Sequence, residues 1–262
     1  MVHNNSNWSN DMSEENKSVE NNIKRIIGIV SGKGGVGKSL VTAELAVKLR
    51  RAGYSVGIMD ADITGPSIPK IFGVSGKTHL ENGKMKPAVS STGIKIMSVN
   101  LLLDHEDDPV VWRGPILNTM VKRFYEGVGW EELDYLLIDM PPGTSDVPLT
   151  VYQNIPLDGI IIVTTPQTLV EMIVKKAYNM AKTMDVHVIA LVQNMSYLVC
   201  PDCNKRINLF GESVIERLAE ELNIPKCASL PIEPDMPALC DSGRIEDFDH
   251  ADLDDLVTYI SE

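Results

Sequence analysis

The segment Ser31 to Ser39, SGKGGVGKS, carries the most specific chemistry in the chain. From Gly32 it follows the spacing G-x-x-x-x-G-K-[ST], which lets the backbone N–H groups of Gly32, Lys33, Gly34, Gly35, Val36, Gly37, Lys38, Ser39 and Leu40 curl around a phosphate. Lys38 reaches the outer phosphates and Ser39 offers a hydroxyl to magnesium. A helix that starts at this point adds its N-terminal partial positive charge to the same anion. A glycine turn with no ligand is the alternative, but it needs neither the apolar run before it, Ile26 to Val30, nor the Lys-Ser pair at its end.

Carboxylates follow at the places where such a site needs them. The run Ser55 to Met59 delivers Asp60 and Asp62 at its carboxyl end, and Gly65, Pro66 and Pro69 then hold the chain in a loop rather than a helix. Two carboxylates there can position metal-bound or attacking water; a capping aspartate beside a solvated one is the alternative. Tyr135 to Ile138 ends in Asp139 and MPPG. An aspartate at the tip of an apolar strand is the expected magnesium-site carboxylate once a phosphate loop is present. Gly143 has no side chain to keep its N–H from the terminal phosphate. Asn194 offers an amide to a base edge, or serves as a turn former.

The pair Cys200-Pro-Asp-Cys203 can present two thiolates to one ion or cluster, and thiolates select zinc, copper(I) or iron-sulfur clusters. Two ligands do not close a four-ligand site. Cys227 and Cys240 stand alone and read as small buried residues. Two copies of the CxxC brought together on a two-fold axis would supply four thiolates, which predicts a homodimer. A redox dithiol and a chance pair of loop cysteines are the competing readings.

The elements that must position these groups alternate strand and helix. Helical spacing predicts a helix over Leu40 to Arg51 ended by Gly53, one opened by Pro115 with Ile116, Leu117, Met120, Val121 and Phe124 inward, and one with Leu169, Ile173, Ala177, Met180, Ala181 and Met184 inward. Gly159 to Thr164, Val186 to Val192 and Ala228 to Leu230 read as strands, with Ile94 to Val99 the one strand expected between Gly73 and Pro109. Gly211 to Asn223 reads as a helix, Pro231 to Pro237 as an exposed loop, and Asp249 to Glu262 as a docked acidic helix. Trp112 and Arg113 receive no role. The pattern predicts an α/β fold, a mostly parallel twisted sheet with helices on both faces, and ligands gathered at the carboxyl ends of its strands.

With 262 residues, one α/β domain over residues 23–262 is expected, after a polar Asn-, Ser- and Glu-rich tail, residues 1–22, read as disordered. The formal charge of -12 opposes binding to nucleic acid or an anionic membrane. The apolar runs are far shorter than the roughly 20 residues a spanning helix needs. No signal-peptide pattern opens the chain, and four cysteines do not form a disulfide framework, so a reducing cytoplasm is expected.

KGGVGKS, with Lys33 just after Gly32, resembles the deviant Walker A loop of the MinD/ParA-like P-loop ATPases. Together with DADITGPSIP, LLIDMPPGTSD and QNMSYLVCPDC it resembles the Mrp/ApbC group of iron-sulfur carrier ATPases, from about Ile23 to the C-terminus. The resemblance implies an ATP-hydrolysing, magnesium-dependent homodimer that carries a labile [4Fe-4S] cluster to apo iron-sulfur proteins. Lys33 would reach the partner's phosphates across a nucleotide-sandwich dimer, while Lys38 and Ser39 take the local phosphates and magnesium. Asp60 and Asp62 would be the first switch, with Asp62 orienting the attacking water. Asp139 matches the Walker B position, Asn194 an adenine contact, and Cys200 and Cys203 the intersubunit cluster ligands. No cysteine precedes Cys200, so the second cluster that some relatives hold at an N-terminal motif is not expected. A positioning ATPase on DNA or membrane, and a zinc-stapled dimer, are the alternatives; the first calls for a basic terminal helix, and this one is acidic.

Overall fold

The computed structural model describes residues 21–62, 65–103, 114–143, 146–167 and 169–262, and side chains at all of these except 114–118 and 146–147. Trp112, Arg113 and residues 1–20 lie outside the described residues. In chain order the elements are β1 (Asn22–Ser31), α1 (Lys38–Arg51), β2 (Val56–Asp60), α2 (Ile68–Ile71), β3 (Leu80–Glu81), β4 (Lys84–Met85), β5 (Ala88–Val89) and β6 (Lys95–Met97). They continue with α3 (Gly114–Glu126), β7 (Glu132–Asp139), α4 (Asp146–Asn154), β8 (Gly159–Thr164), α5 (Val170–Thr183), β9 (Val188–Val199), β10 (Arg206–Ile207), α6 (Ile215–Glu221), β11 (Lys226–Pro231), α7 (Met236–Asp241) and α8 (Asp254–Ser261).

β1 lies at the centre of the main sheet, parallel to β7 on one side and β8 on the other. The order runs outward through β2, β6 and β5 from β7, and through β9 and then β11 from β8. Only the short β5 and β10 pair antiparallel with this sheet among the described residues. Alternate residues of each central strand serve opposite faces, as the period of two requires. Ile27, Ile29, Leu137 and Ile161 pack with Val41, Leu45 and Leu49 of α1 and with Leu256 and Ile260 of α8. Ile26, Val30, Leu136 and Ile162 pack with Val121 and Phe124 of α3, Val174 of α5 and Leu218 of α6. The result is the expected three-layer α/β/α arrangement. Each fully buried Leu or Ile contributes about 1.5–3 kcal/mol to holding it together. Trp130, also fully buried, keeps its indole N–H satisfied on the Phe124 carbonyl at 2.9 Å.

Several elements differ from the pattern reading. β1 starts at Asn22, and the Asn21 amide donates to the Val128 carbonyl at 2.9 Å, so both residues belong to the folded unit. α5 buries Val170, Val174, Ala177 and Ala181, whereas Leu169 sits before it with φ +71 and is 65% exposed. The left-handed Leu169 precedes the helix, and Val170 and Val174 take the inward places expected of Leu169 and Ile173. β9 runs through Asn194 to Val199, beyond the expected Val192, where Pro231 of β11 pairs with Tyr197 and β10 pairs with Leu198 and Val199. The loop after β11 closes into α7, and the acidic terminal helix starts only at Asp254.

Candidate functional site

The phosphate loop joins β1 to α1. Gly35 and Gly37 take φ of +77 and +79, the left-handed region that glycine enters without steric cost. At Gly37 there is a second reason for glycine: a Cβ would lie 2.2 Å from Nδ2 of Asn194. That amide donates to the Val36 carbonyl at 3.1 Å, so the middle of β9 grips the loop from outside. Asn194 is buried, and its Oδ1 accepts the N–H of Met195 at 2.9 Å. The structure therefore places Asn194 beside the loop, with the amide engaged in holding it.

Lys38 is buried at the start of α1, and its Nζ lies 2.6 Å from Oδ1 of Asp139 and 3.9 Å from Oδ2 of Asp62. Asp139, fully buried at the tip of β7, also accepts hydrogen bonds from Ser39 Oγ at 2.6 Å and Thr42 Oγ1 at 3.0 Å. A buried carboxylate of this kind is tolerated because several donors satisfy it. Asp60 pairs in register with Asp139 and is also fully buried. Burial first, and then the Asp139 charge, raise its carboxyl well above the ordinary carboxylate range. Gly143 donates its N–H to the Ser31 carbonyl at 2.8 Å, which ties the loop after β7 to the phosphate loop. Lys33 reaches from the loop to Oε1 of Gln167, just beyond β8.

The sheet thus brings Lys33, Lys38, Ser39, Asp60, Asp62, Asp139, Gly143 and Asn194 to one edge. A hydroxyl and a carboxylate oxygen 2.6 Å apart, Ser39 Oγ and Asp139 Oδ2, form a hard oxygen pair that fits magnesium. Beside α1 lies a largely apolar cavity of about 320 Å³, lined among others by Leu40, Asn194, Met195, Leu230, Pro231 and Phe248. It adjoins the loop where a nucleotide base would follow its phosphates.

Cys200 and Cys203 sit beyond β9, on the turn of a hairpin closed by β10. Cys200 N–H donates to the Lys205 carbonyl at 3.0 Å, and Asn204 N–H returns to the Cys200 carbonyl at 2.9 Å. The backbone N–H groups of Asp202 and Cys203, and the Cys203 thiol, lower the Cys200 thiol below its ordinary range, which favours the thiolate. Arg206 lies 3.6 Å over the Tyr197 ring, and the Tyr197 hydroxyl donates to Asp252 at 3.2 Å, tying the hairpin base to the C-terminal segment. Cys227 is exposed and Cys240 half-buried, so neither is the fully buried residue expected. Cys240 lines the apolar cavity.

Residues 22–260 match the family described as ParA: NUBPL iron-transfer P-loop NTPase. The chain belongs to this family. The NTPase is 47% identical over 235 residues to the iron-sulfur cluster carrier protein of Clostridium perfringens, covering 87% of this chain and 82% of that one. It is 43% identical over 225 residues to the iron-sulfur cluster carrier protein of Saccharolobus solfataricus, covering 85% of this chain and 76% of the relative. Among solved structures, a nucleotide-binding protein of Archaeoglobus fulgidus in complex with ADP superposes with a TM-score of 0.80 at 43% identity, over 87% of this chain and 90% of that one. The cell division ATPase MinD of Pyrococcus furiosus, 19% identical with a TM-score of 0.65, over 91% of this chain and 98% of that one, shares the fold. No described helix of the NTPase is long and apolar enough to cross a membrane.

Thr42, Ser98, Gln167 and the strand-end residues around Leu230 belong to the site, yet their types and spacing give no chemical signal. Only Thr42, four residues after Lys38 and so on the same helix face, was open to pattern reasoning.

Proposed function

We propose that the chain is a magnesium-dependent ATPase that binds a labile [4Fe-4S] cluster between two copies of itself and passes it to apo iron-sulfur proteins. The observation that carries this reading is the position of the two-thiol hairpin at the carboxyl edge of the same sheet that ends in the phosphate loop. One hairpin offers two thiolates, and a cubane cluster takes four. A two-fold axis supplies the other two and brings Lys33 of one copy toward the other's nucleotide.

Lys38 Nζ lies 2.6 Å from Asp139 Oδ1. Lys38 would pair with phosphate oxygens, and Ser39 and Asp139 would hold magnesium, whose charge would neutralise the phosphates. Asp62, beside Lys38, orients the attacking water. The apolar cavity receives the base, with Asn194 at its edge. ATP and ADP states then shift the pairing of the two copies and the exposure of the cluster between them. In transfer, recipient thiolates replace Cys200 and Cys203 on iron, a ligand exchange that needs no net oxidation or reduction.

Anaerobic reconstitution followed by absorption spectroscopy and iron counting tests the reading. The expected stoichiometry is about four irons per two chains. Replacement of both thiols, Cys200→Ser with Cys203→Ser, should abolish uptake while leaving ATP binding intact. Equal uptake by that variant would overturn the cluster assignment, and zinc alone in anaerobically purified protein would replace carrier with a stapled dimer.

A further inference from the structure

The loop that presents Asp62 leaves β2 after Asp60 and returns to the described chain at Gly65, before α2. Its described residues on either side, Asp60 to Asp62 and Pro66, are held by residues that follow β6. The parallel register pairs Met59 with Met97, so Asp60 and Ser98 are the next pair along and face each other at the strand ends. Ser98 Oγ donates to Oδ2 of Asp60 at 3.0 Å, and Oδ1 of Asp60 accepts the backbone N–H of Asp62 at 3.1 Å. Both carboxyl oxygens of Asp60 are therefore committed to holding the loop. Ala61 N–H adds a bond to the Asp139 carbonyl at 2.9 Å. At the far end, Nδ2 of Asn100 donates to the Pro66 carbonyl at 3.1 Å. Ser98 and Asn100 flank the start of a 3-10 turn, Val99–Leu102, closed by Leu101 N–H on the Ser98 carbonyl at 3.2 Å. Its Leu101 carbonyl is in turn tied to Thr78 N–H at 2.9 Å.

We propose that Ser98 and Asn100 are positioning residues for ATP hydrolysis, a two-point bracket that fixes the Asp62 loop against the phosphate site, with Asp60 as the rigid link between Ser98 and Asp62. This rests on the water-orienting role proposed above for Asp62. A group that orients water must be held within a fraction of an ångström, and a displacement of about 1 Å costs on the order of a hundredfold in rate. Ser98 is fully buried, so its removal takes from an Asp60 oxygen the donor it has among the described residues and loosens that side chain. The bracket acts on the carboxylate that meets the reacting water and not on the phosphate loop. Its loss should lower kcat and spare nucleotide affinity.

The test compares Ser98→Ala, Ser98→Thr, Asn100→Ala and the reference variant Asp62→Asn in the full chain. The readouts are steady-state ATP turnover, the Kd of a fluorescent ATP analogue, and the thermal midpoint as a fold control. Ser98→Ala and Asn100→Ala should each lower kcat by about tenfold or more with Kd changed by less than about threefold, and Ser98→Thr, which keeps the hydroxyl, should stay within about threefold of the parent. Turnover within about twofold of the parent in both alanine variants overturns the bracket, as does a Kd that weakens in step with kcat. If Ser98→Ala does not fold, the half-buried Asn100 decides alone, and parental kcat in Asn100→Ala sinks the proposal. Parental turnover in Asp62→Asn removes the water-orienting role itself. An inactive Asp62→Asn beside fully active Ser98→Ala and Asn100→Ala removes only the bracket.

Discussion

At the scale of single residues, the charge state of His250 illustrates how the far end of the chain supports the nucleotide side. Its Nδ1 lies 3.1 Å from Asp252 and its Nε2 3.6 Å from Glu44, a buried residue of α1; Glu233 and Cys240 line the same cavity. Burial lowers the imidazole pKa, but the charge of Glu44, and then the hydrogen bond and charge of Asp252, outweigh it and raise the pKa above the ordinary 6.5. A folded-state pKa above the unfolded one means that the folded protein holds the proton more tightly. The stabilisation is complete below pH 6.5 and is lost as pH rises through the higher folded value. Thermal midpoints should therefore fall as pH is raised from about 6 to 8, and His250→Gln should flatten that slope. An unchanged slope in the variant would place the effect elsewhere. None of this was legible in DHADLDDL, which reads simply as an acidic helix, because the partner Glu44 lies on α1, more than two hundred residues earlier. Asp139 was legible, since an apolar strand ending in aspartate after a phosphate loop has few other uses. The engagement of Asn194 with Val36 was not, because it depends on how β9 lies in the sheet relative to the loop after β1.

At the scale of elements, the sequence pattern located strands and helices wherever a strict period or an unbroken apolar run lasted several residues, as in Val41, Leu45 and Leu49 of α1 or Ile160 to Val163 of the fully buried β8. It failed at β9, lengthened where β10 and Pro231 of β11 pair with its far end, and at α6, which spans Ile215–Glu221 rather than the expected Gly211 to Asn223. The junction of β1, the loop and α1 carries a sharper consequence. Gly37 combines φ +79 with a Cβ position 2.2 Å from the Asn194 amide. Gly37→Ala must both strain the backbone and push away the side chain that holds Val36. A cost of about 1–3 kcal/mol is expected from the backbone strain alone, read as a lower denaturant midpoint with an unchanged slope. Nucleotide binding should be lost well before the fold is. A companion Asn194→Ala change removes the clash but not the left-handed strain, so it should recover only part of the stability. Full recovery would show that φ at residue 37 carries no penalty.

At the scale of the whole molecule, the question is whether one copy is a complete enzyme. Lys38, Ser39, Asp62 and Asp139 converge within one chain, whereas Lys33 is turned to Gln167 rather than to Lys38's partners. That division matches the proposed sharing of sites: the local lysine binds, and the signature lysine acts on the partner's nucleotide. Two identical chains of net charge -12 repel one another at long range, so a short-range link is needed to hold them together. Bound nucleotide and four thiolates around a cluster are the links on offer. ATP turnover per chain should then rise with protein concentration until pairing saturates, and high salt should shift that rise to lower concentration by screening the repulsion. Lys33→Ala should keep nucleotide affinity within about threefold, since Lys38 remains, yet lose most of the turnover, because a charge aimed at the transferring phosphoryl group is worth on the order of a thousandfold or more. Turnover and sedimentation measured across the same concentration series separate the two possibilities. A specific activity that stays constant while the protein sediments as a monomer would mean that each chain hydrolyses ATP alone, and Lys33 would then need another role.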